Sequence, residues 1–283
     1  MNGRIPDYVL IGHLTADLMA GGRAPGGTVS YAARTASAFG LRVAVLTSAA
    51  AGEPLLDELT PYAEVVTVPA EQTTTFENIY EPSGRKQFIR GVAAPLKTAD
   101  IPDRFLAAPL VHLAPIAGEV DPQIAYLFPD STVLLTLQGW LRCWDADGFV
   151  RFRRWFDRDV LRMINIVVFS EEDILEAPDM EATFADAVRH LFVTRAERGG
   201  THYIDGIAKG YDTPQVKLIN PTGAGDIFAA SLLASLPRLG YDYDAATRVA
   251  ASLGALSVTR IGLDSAPTAE EAAAVLERVY DSA

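Results

Sequence analysis

The sequence predicts an α/β fold of three layers, a mostly parallel sheet with helices on both faces. Three observations predict it. Short strand-like apolar blocks alternate with stretches of helical periodicity, which implies crossover units. Gly, Pro and polar residues separate the blocks, and 49% of the 283 residues are apolar, the profile of a folded globular chain. The last third reads as helix throughout.

In chain order, strand-like blocks fall at 8–12, 43–47, 110–113, 133–136, 166–169 and 192–194, with helical periodicity at 29–39 and 180–190. In such sheets ligands bind beyond the carboxyl ends of the strands, so functional residues are expected just after the blocks. One region breaks the rhythm. Residues 73–80 and 86–90 are β-rich and are joined by Glu81-Pro82-Ser83-Gly84-Arg85, which is turn chemistry. A hairpin without a helix of its own is a candidate lid. The C-terminal helices are expected at 224–235, 244–260 and 268–280, with Pro237 and Gly240 punctuating the first pair and Pro267-Thr268 starting the last. The arginine-rich stretch 151–162 carries Asp157 and Asp159 and reads as a solvated helix face. The expectation is one domain over 1–283 with a small lid hairpin at about 73–90.

The net charge of −12 argues against a nucleic-acid or anionic-membrane surface, because both need a basic footprint. No signal peptide or membrane span is read. The single cysteine, Cys143, fits a reducing cytoplasm. The four histidines lack metal-ligand spacing, so no structural metal site is expected.

The chemistry concentrates in Asn220-Pro221-Thr222-Gly223-Ala224-Gly225-Asp226, expected to follow a strand that Pro221 ends. Two glycines let the backbone turn sharply and gather its N–H groups at a helix start, where they and the helix dipole attract anionic oxygens. An aspartate in the same first turn stands beside any anion held there. That pairing suits phosphoryl transfer, with the amides of Gly223, Ala224 and Gly225 stabilising charge and Asp226 accepting the acceptor hydroxyl's proton.

This string resembles the C-terminal motif of the ribokinase-like (PfkB) carbohydrate kinases, and the resemblance extends over nearly the whole chain. Gly26-Gly27, Ala32-Ala33 and Gly40 resemble the family's first motif, and Asp17 stands at its substrate-binding aspartate. Ser170-Glu171-Glu172-Asp173 resembles the Asn-x-x-Glu element that organises Mg²⁺ and phosphates. Thr194-Arg195-Ala196-Glu197-Arg198-Gly199 resembles the nucleotide-binding Thr-x-Gly-x-x-Gly segment, and residues 250–262, with Ser252, resemble the helix flanking the adenine pocket. The resemblance implies an ATP- and Mg²⁺-dependent kinase. Its nucleotide side comprises Ser170, Asp173, Thr194, Glu197, Gly199 and Ser252. Its acceptor side comprises Asp17, Gly26, Gly27, Tyr31, Gln138 and Arg142.

Departures are visible. Asn220 replaces an Asp linked to a monovalent-cation site, which puts potassium activation in doubt. Tyr31 replaces an Asn, Ala196 a Gly, and Ser231 an Ala or Gly. The stretch 17–26 is short where a ribokinase has a longer excursion, so a small lid resting mainly on the 73–90 hairpin is expected, and with it a monomer or weak homodimer. That shortening, with Thr73-Thr74-Thr75-Phe76-Glu77, Ala117-Gly118-Glu119-Val120 and Leu137-Gln138-Gly139-Trp140-Leu141-Arg142, resembles the inositol-kinase branch and implies a sugar or cyclic polyol as acceptor, myo-inositol first. The alternatives are a nucleoside kinase, with Tyr31 and Phe76 stacking on a base, and a non-catalytic ligand-binding or regulatory member. A Rossmann dehydrogenase is disfavoured because His13-Leu14-Thr15 follows the first strand without a Gly-x-Gly-x-x-Gly turn.

Overall fold

The structure is a computed structural model that describes residues 4–81 and 84–281. The first half of the chain runs β1 (Tyr8–Ile11), β2 (Thr15–Met19), β3 (Gly22–Gly26), α1 (Thr28–Ala38), β4 (Val43–Ala50), β5 (Ala63–Ala70), β6 (Thr75–Glu81), β7 (Gly84–Gly91), β8 (Leu110–Leu113) and β9 (Thr132–Thr136). The second half runs β10 (Arg142–Trp144), β11 (Val150–Phe152), α2 (Arg158–Leu161), β12 (Ile166–Ser170), α3 (Met180–Ala185), β13 (His190–Thr194), β14 (Gly200–Ile204) and β15 (Ile207–Tyr211). The helices α4 (Ala224–Ser235), α5 (Tyr243–Ser257) and α6 (Ala269–Tyr280) follow.

Nine strands form the main sheet in the order β15-β14-β13-β12-β9-β8-β1-β4-β5, parallel from β13 to β5 and antiparallel at the β14–β15 edge. The central strands are buried on both faces, as parallel strands between helices must be. Along β1, Tyr8 and Leu10 join a core with α1, α4, α5 and α6, whereas Val9 and Ile11 join the opposite core with α2, α3 and several 3₁₀ turns. Side chains alternate across a strand, so a continuous apolar run serves both layers. This is the expected three-layer fold.

A separate four-stranded sheet, β3-β2-β6-β7, stands off the carboxyl edge. Here two expectations are corrected. The stretch 17–26 is not a mere short loop: it lies in the β2–β3 hairpin, and β2 pairs parallel with β6 through Ala16↔Thr75 and Asp17↔Phe76. The lid therefore rests on two hairpins, and its size no longer argues for a monomer. The Pro82-Ser83 part of the expected turn lies outside the described residues.

Other differences are local. The helix expected over 180–190 ends at Ala185, because His190 already pairs with Ile166 and Ile204 in the sheet. The stretch 151–162 is not one helix: Cys143 pairs with Arg151 in the β10–β11 hairpin, and only four residues of α2 are helical. Residues 212–222 form no strand before Pro221. No helix among the described residues is long and apolar enough to cross a membrane.

Candidate active site

α1 and α4 begin side by side at the carboxyl edge of the sheet, and each begins with a glycine in an unusual conformation. Gly223 is the N-cap of α4 in the left-handed region (φ +85°), and no side chain caps the helix. The N-cap offers the first-turn amides no side-chain acceptor, although the Ala224 amide, expected in the anion site, donates to Pro221 O at 3.2 Å. At Gly225 an added Cβ would meet nothing within 4 Å, so the turn has an open front. An uncapped helix start with free space before it is suited to an anionic oxygen.

Asp226, half-buried in the first turn of α4, completes this arrangement. Burial pushes its carboxyl up to about 6; a hydrogen bond from the Thr28 side chain and the charge of Arg142 pull it back, and Asp173 adds to the rise. A carboxylate tuned towards neutrality is suited to accept a proton near physiological pH.

On the lid side, Asp17 lies on β2 and its carboxylate occupies the space above Gly26, where an added Cβ would come within 2.5 Å of Oδ2. Gly26-Gly27 thus clears room for Asp17 at the mouth of α1. Tyr31, on α1, senses both carboxylates: burial first, then Asp226 and Asp17, raise its phenol well above the ordinary value. Arg142 donates to Ile116 O at 3.2 Å and lies over the Phe76 ring at 5.7 Å. Gln138 donates to Asp173 Oδ1 at 2.9 Å, while Asp173 Oδ2 accepts from Ser170 N at 2.9 Å. Asp17, Tyr31, Arg142, Asp173 and Asp226 are therefore drawn together from regions spread over two hundred residues.

Of the residues expected on the nucleotide side, Ser170 and Asp173 thus border Gln138 and Asp226, whereas Thr194, Glu197, Gly199 and Ser252 lie around the coil 212–222. Thr194 ends β13, and the coil 212–222 joins its neighbourhood to α5: Gln215 Nε2 donates to Glu197 O at 2.7 Å and Thr213 Oγ1 to Ala251 O at 3.3 Å. Ser252 follows Ala251 on α5. Gly199 is left-handed (φ +78°), and so is Ala196 (φ +48°), the position read as replacing a glycine; a side chain there carries a backbone cost. Of the acidic run, Glu171 is ion-paired with Arg195 and Arg198, and Asp173 serves the capping box of a 3₁₀ turn. Asp173 thus caps that turn while its charge reaches Asp226.

Sequence reading missed Glu53, and it named Glu119 only within the string Ala117-Gly118-Glu119-Val120, without its role in tying loops together. The buried Glu119 carboxylate accepts from His13 N, Ile116 N and Ala117 N at 2.7–3.1 Å, tying the loop after β1 to the loop after β8. His13 in turn contacts Thr74 Oγ1 at 2.7 Å and Ala94 O at 2.9 Å, where the lid leaves the sheet. Glu53 accepts from Arg23 on β3 and from Thr73. Burial alone would raise the Glu53 carboxyl, but these bonds hold it below its ordinary value. For Glu53 the only sequence signal was an acidic residue beside Gly52, which is too common to single out.

Comparison with known proteins agrees with this geometry. Residues 158–269 match the pfkB family carbohydrate kinase family. The chain is 26% identical over 254 residues to a cytidine kinase of Thermococcus kodakarensis, covering 82% of this chain and 89% of that protein. It is 31% identical over 172 residues to an inositol 3-kinase of Zea mays, covering 60% of this chain and 44% of the other. A solved structure of a pyrophosphate-dependent myo-inositol-1 kinase converted into a myo-inositol-3 kinase superposes with a TM-score of 0.78 at 19% identity, over 96% of this chain and 99% of the other. The stretch that matches the pfkB family carbohydrate kinases, residues 158–269, contains both the glycine turn and Asp226, and the fold around it is ribokinase-like.

Proposed function

We propose that this protein transfers the terminal phosphoryl group of ATP·Mg²⁺ to a hydroxyl of a cyclic polyol such as myo-inositol. One observation carries the reading: the uncapped, left-handed Gly223 turn and the elevated Asp226 carboxyl occupy the same helical turn, facing Asp17 across α1. Amides aimed at a phosphoryl group and a base beside them are what an alcohol acceptor requires. The proton of the attacking hydroxyl passes to Asp226 as its oxygen bonds to phosphorus and the bond to ADP breaks. Mg²⁺ would arrive with the nucleotide and screen its phosphates, and Asp173, whose charge reaches Asp226, would be the carboxylate of this chain on that side. The lid over β2 and β6 excludes water and so suppresses hydrolysis.

The acceptor choice rests on polarity. The two aromatic rings that a nucleobase would need are committed to packing: Tyr31 is 4% exposed and Phe76 3%. Phe76 packs with Ile89, Ile116 and Ala117. Asp17 and Arg142 offer the mixed acceptor and donors that a ring of hydroxyls needs. The cytidine kinase similarity supports a nucleoside as the second reading. For the donor, the exposed aliphatic residues Val216, Leu218 and Ile219 precede the turn, with Ile219 N bonded to Val258 O beyond α5, an apolar surface suited to a nucleotide base rather than to pyrophosphate.

Acceptor and donor are ranked by kcat/KM for myo-inositol, ribose, fructose, cytidine and adenosine with saturating ATP·Mg²⁺ or pyrophosphate. The expected order places myo-inositol first, with ATP as donor. A nucleoside preferred by about tenfold, 1.4 kcal/mol in transition-state binding, would overturn the acceptor assignment and leave the kinase reading standing.

A further inference from the structure

Two pairs of residues lock α1 to α4 in register. Thr28 and Tyr31 are three apart on α1 and so share one face; Gly223 and Asp226 are three apart at the start of α4. The Thr28 side chain bonds Asp226, and the Tyr31 ring lies on Gly223. That second contact is close. A Cβ placed on Gly223 would come 2.5 Å from Tyr31 Cε1 and 2.6 Å from Cδ1, so nothing larger than glycine fits beneath the ring. The anion turn thus has an open front at Gly225 and an aromatic wall behind Gly223.

We propose that Tyr31 is a positioning residue whose ring, rather than its hydroxyl, holds the Gly223–Gly225 turn in its phosphoryl-binding shape. The role rests on the assignment of that turn and replaces the acceptor contact expected for Tyr31, whose ring is buried against Gly223. A left-handed glycine is free to leave its conformation unless something fills the space against it. The Tyr31 ring fills that space on one side, and the Thr28 bond fixes the aspartate one turn further on. A side chain too small to reach Gly223 lets the amides drift, and misplacement of catalytic groups by about 1 Å costs on the order of 10²-fold in rate.

The test compares Tyr31→Phe, Tyr31→Leu and Tyr31→Asn in the full chain. With ATP·Mg²⁺ and the best acceptor found, Tyr31→Phe is expected to keep kcat within about threefold. Tyr31→Asn is expected to lose about 10²-fold in kcat with acceptor KM little changed. Tyr31→Leu, which keeps apolar bulk and guards against loss of folding, should fall between them. A second readout needs no ligand. Hydrogen exchange of the peptide containing Gly223–Asp226 should accelerate by about tenfold in Tyr31→Asn and stay at the wild-type rate in Tyr31→Phe. That measurement stands even if wild-type protein ignores every acceptor tried, which would refute the kinase reading instead. Equal losses in Tyr31→Phe and Tyr31→Asn, a loss confined to acceptor KM, or unchanged exchange in Tyr31→Asn would overturn the proposal.

Discussion

Asp226→Asn is expected to lower kcat by about 10²–10⁴-fold while leaving the Kd for ATP·Mg²⁺ nearly unchanged. Asparagine keeps the shape of the side chain and its hydrogen bond from Thr28 but cannot take the acceptor's proton. The pH dependence follows from the same group. Asp226 must be ionised to act, and its carboxyl is raised to about 6 by burial. The kcat/KM for the acceptor should therefore fall as pH drops through about 6, and the variant's residual rate should lack that limb. Stability runs the other way. The folded value lies above the unfolded value of 3.8, so the folded state holds the proton more tightly and loses stability as pH rises between the two. The Asn variant should thus melt above wild type at pH 8, and the gap should shrink at pH 4. Retention of more than about a tenth of the wild-type rate would mean that the base lies elsewhere.

Asp17→Ala is expected to reduce kcat/KM for the acceptor by about 10²-fold or more, mainly through KM. Asp17 stands at the root of the lid, one strand from Phe76 and directly over Gly26. Its loss leaves acceptor hydroxyls without their carboxylate and the neighbouring donors without a bound partner. The site discriminates by that pairing, so the cost appears in acceptor binding. The ATP KM should stay within about threefold, because the reading assigns the phosphates to the Gly223–Gly225 turn and not to Asp17. Parallel losses in both KM values would place Asp17 in the fold rather than in the acceptor pocket.

Much of this was legible in the sequence, for physical reasons. The central strands announced themselves because burial on both faces demands unbroken apolar runs. α4 was placed at its actual bounds because the glycine turn marks its start unambiguously. The lid's first hairpin was not legible. Gly22, Pro25 and Gly26 depress strand propensity, and β2, on which β3 pairs, is itself held by β6, a partner some sixty residues away in sequence. The β14–β15 hairpin did carry a signal, Asp205-Gly206, and both residues have positive φ as such turns require. Its flanking residues lack clear alternation, and the signal was passed over. Glu119 stood in a named string, but its contact was beyond reach: its partner His13 N lies 106 residues away, and no local pattern reports such a pairing. The wall that Tyr31 builds behind Gly223 is of the same kind.

The most direct measurement is phosphorus NMR of wild-type protein incubated with ATP·Mg²⁺ and myo-inositol. The account predicts one phosphomonoester formed on the polyol for each ATP converted to ADP, with neither signal changing when Asp226→Asn replaces the wild type. ATP bound without turnover in the presence of every polyol, sugar and nucleoside tested, or its conversion to free phosphate alone, would contradict it.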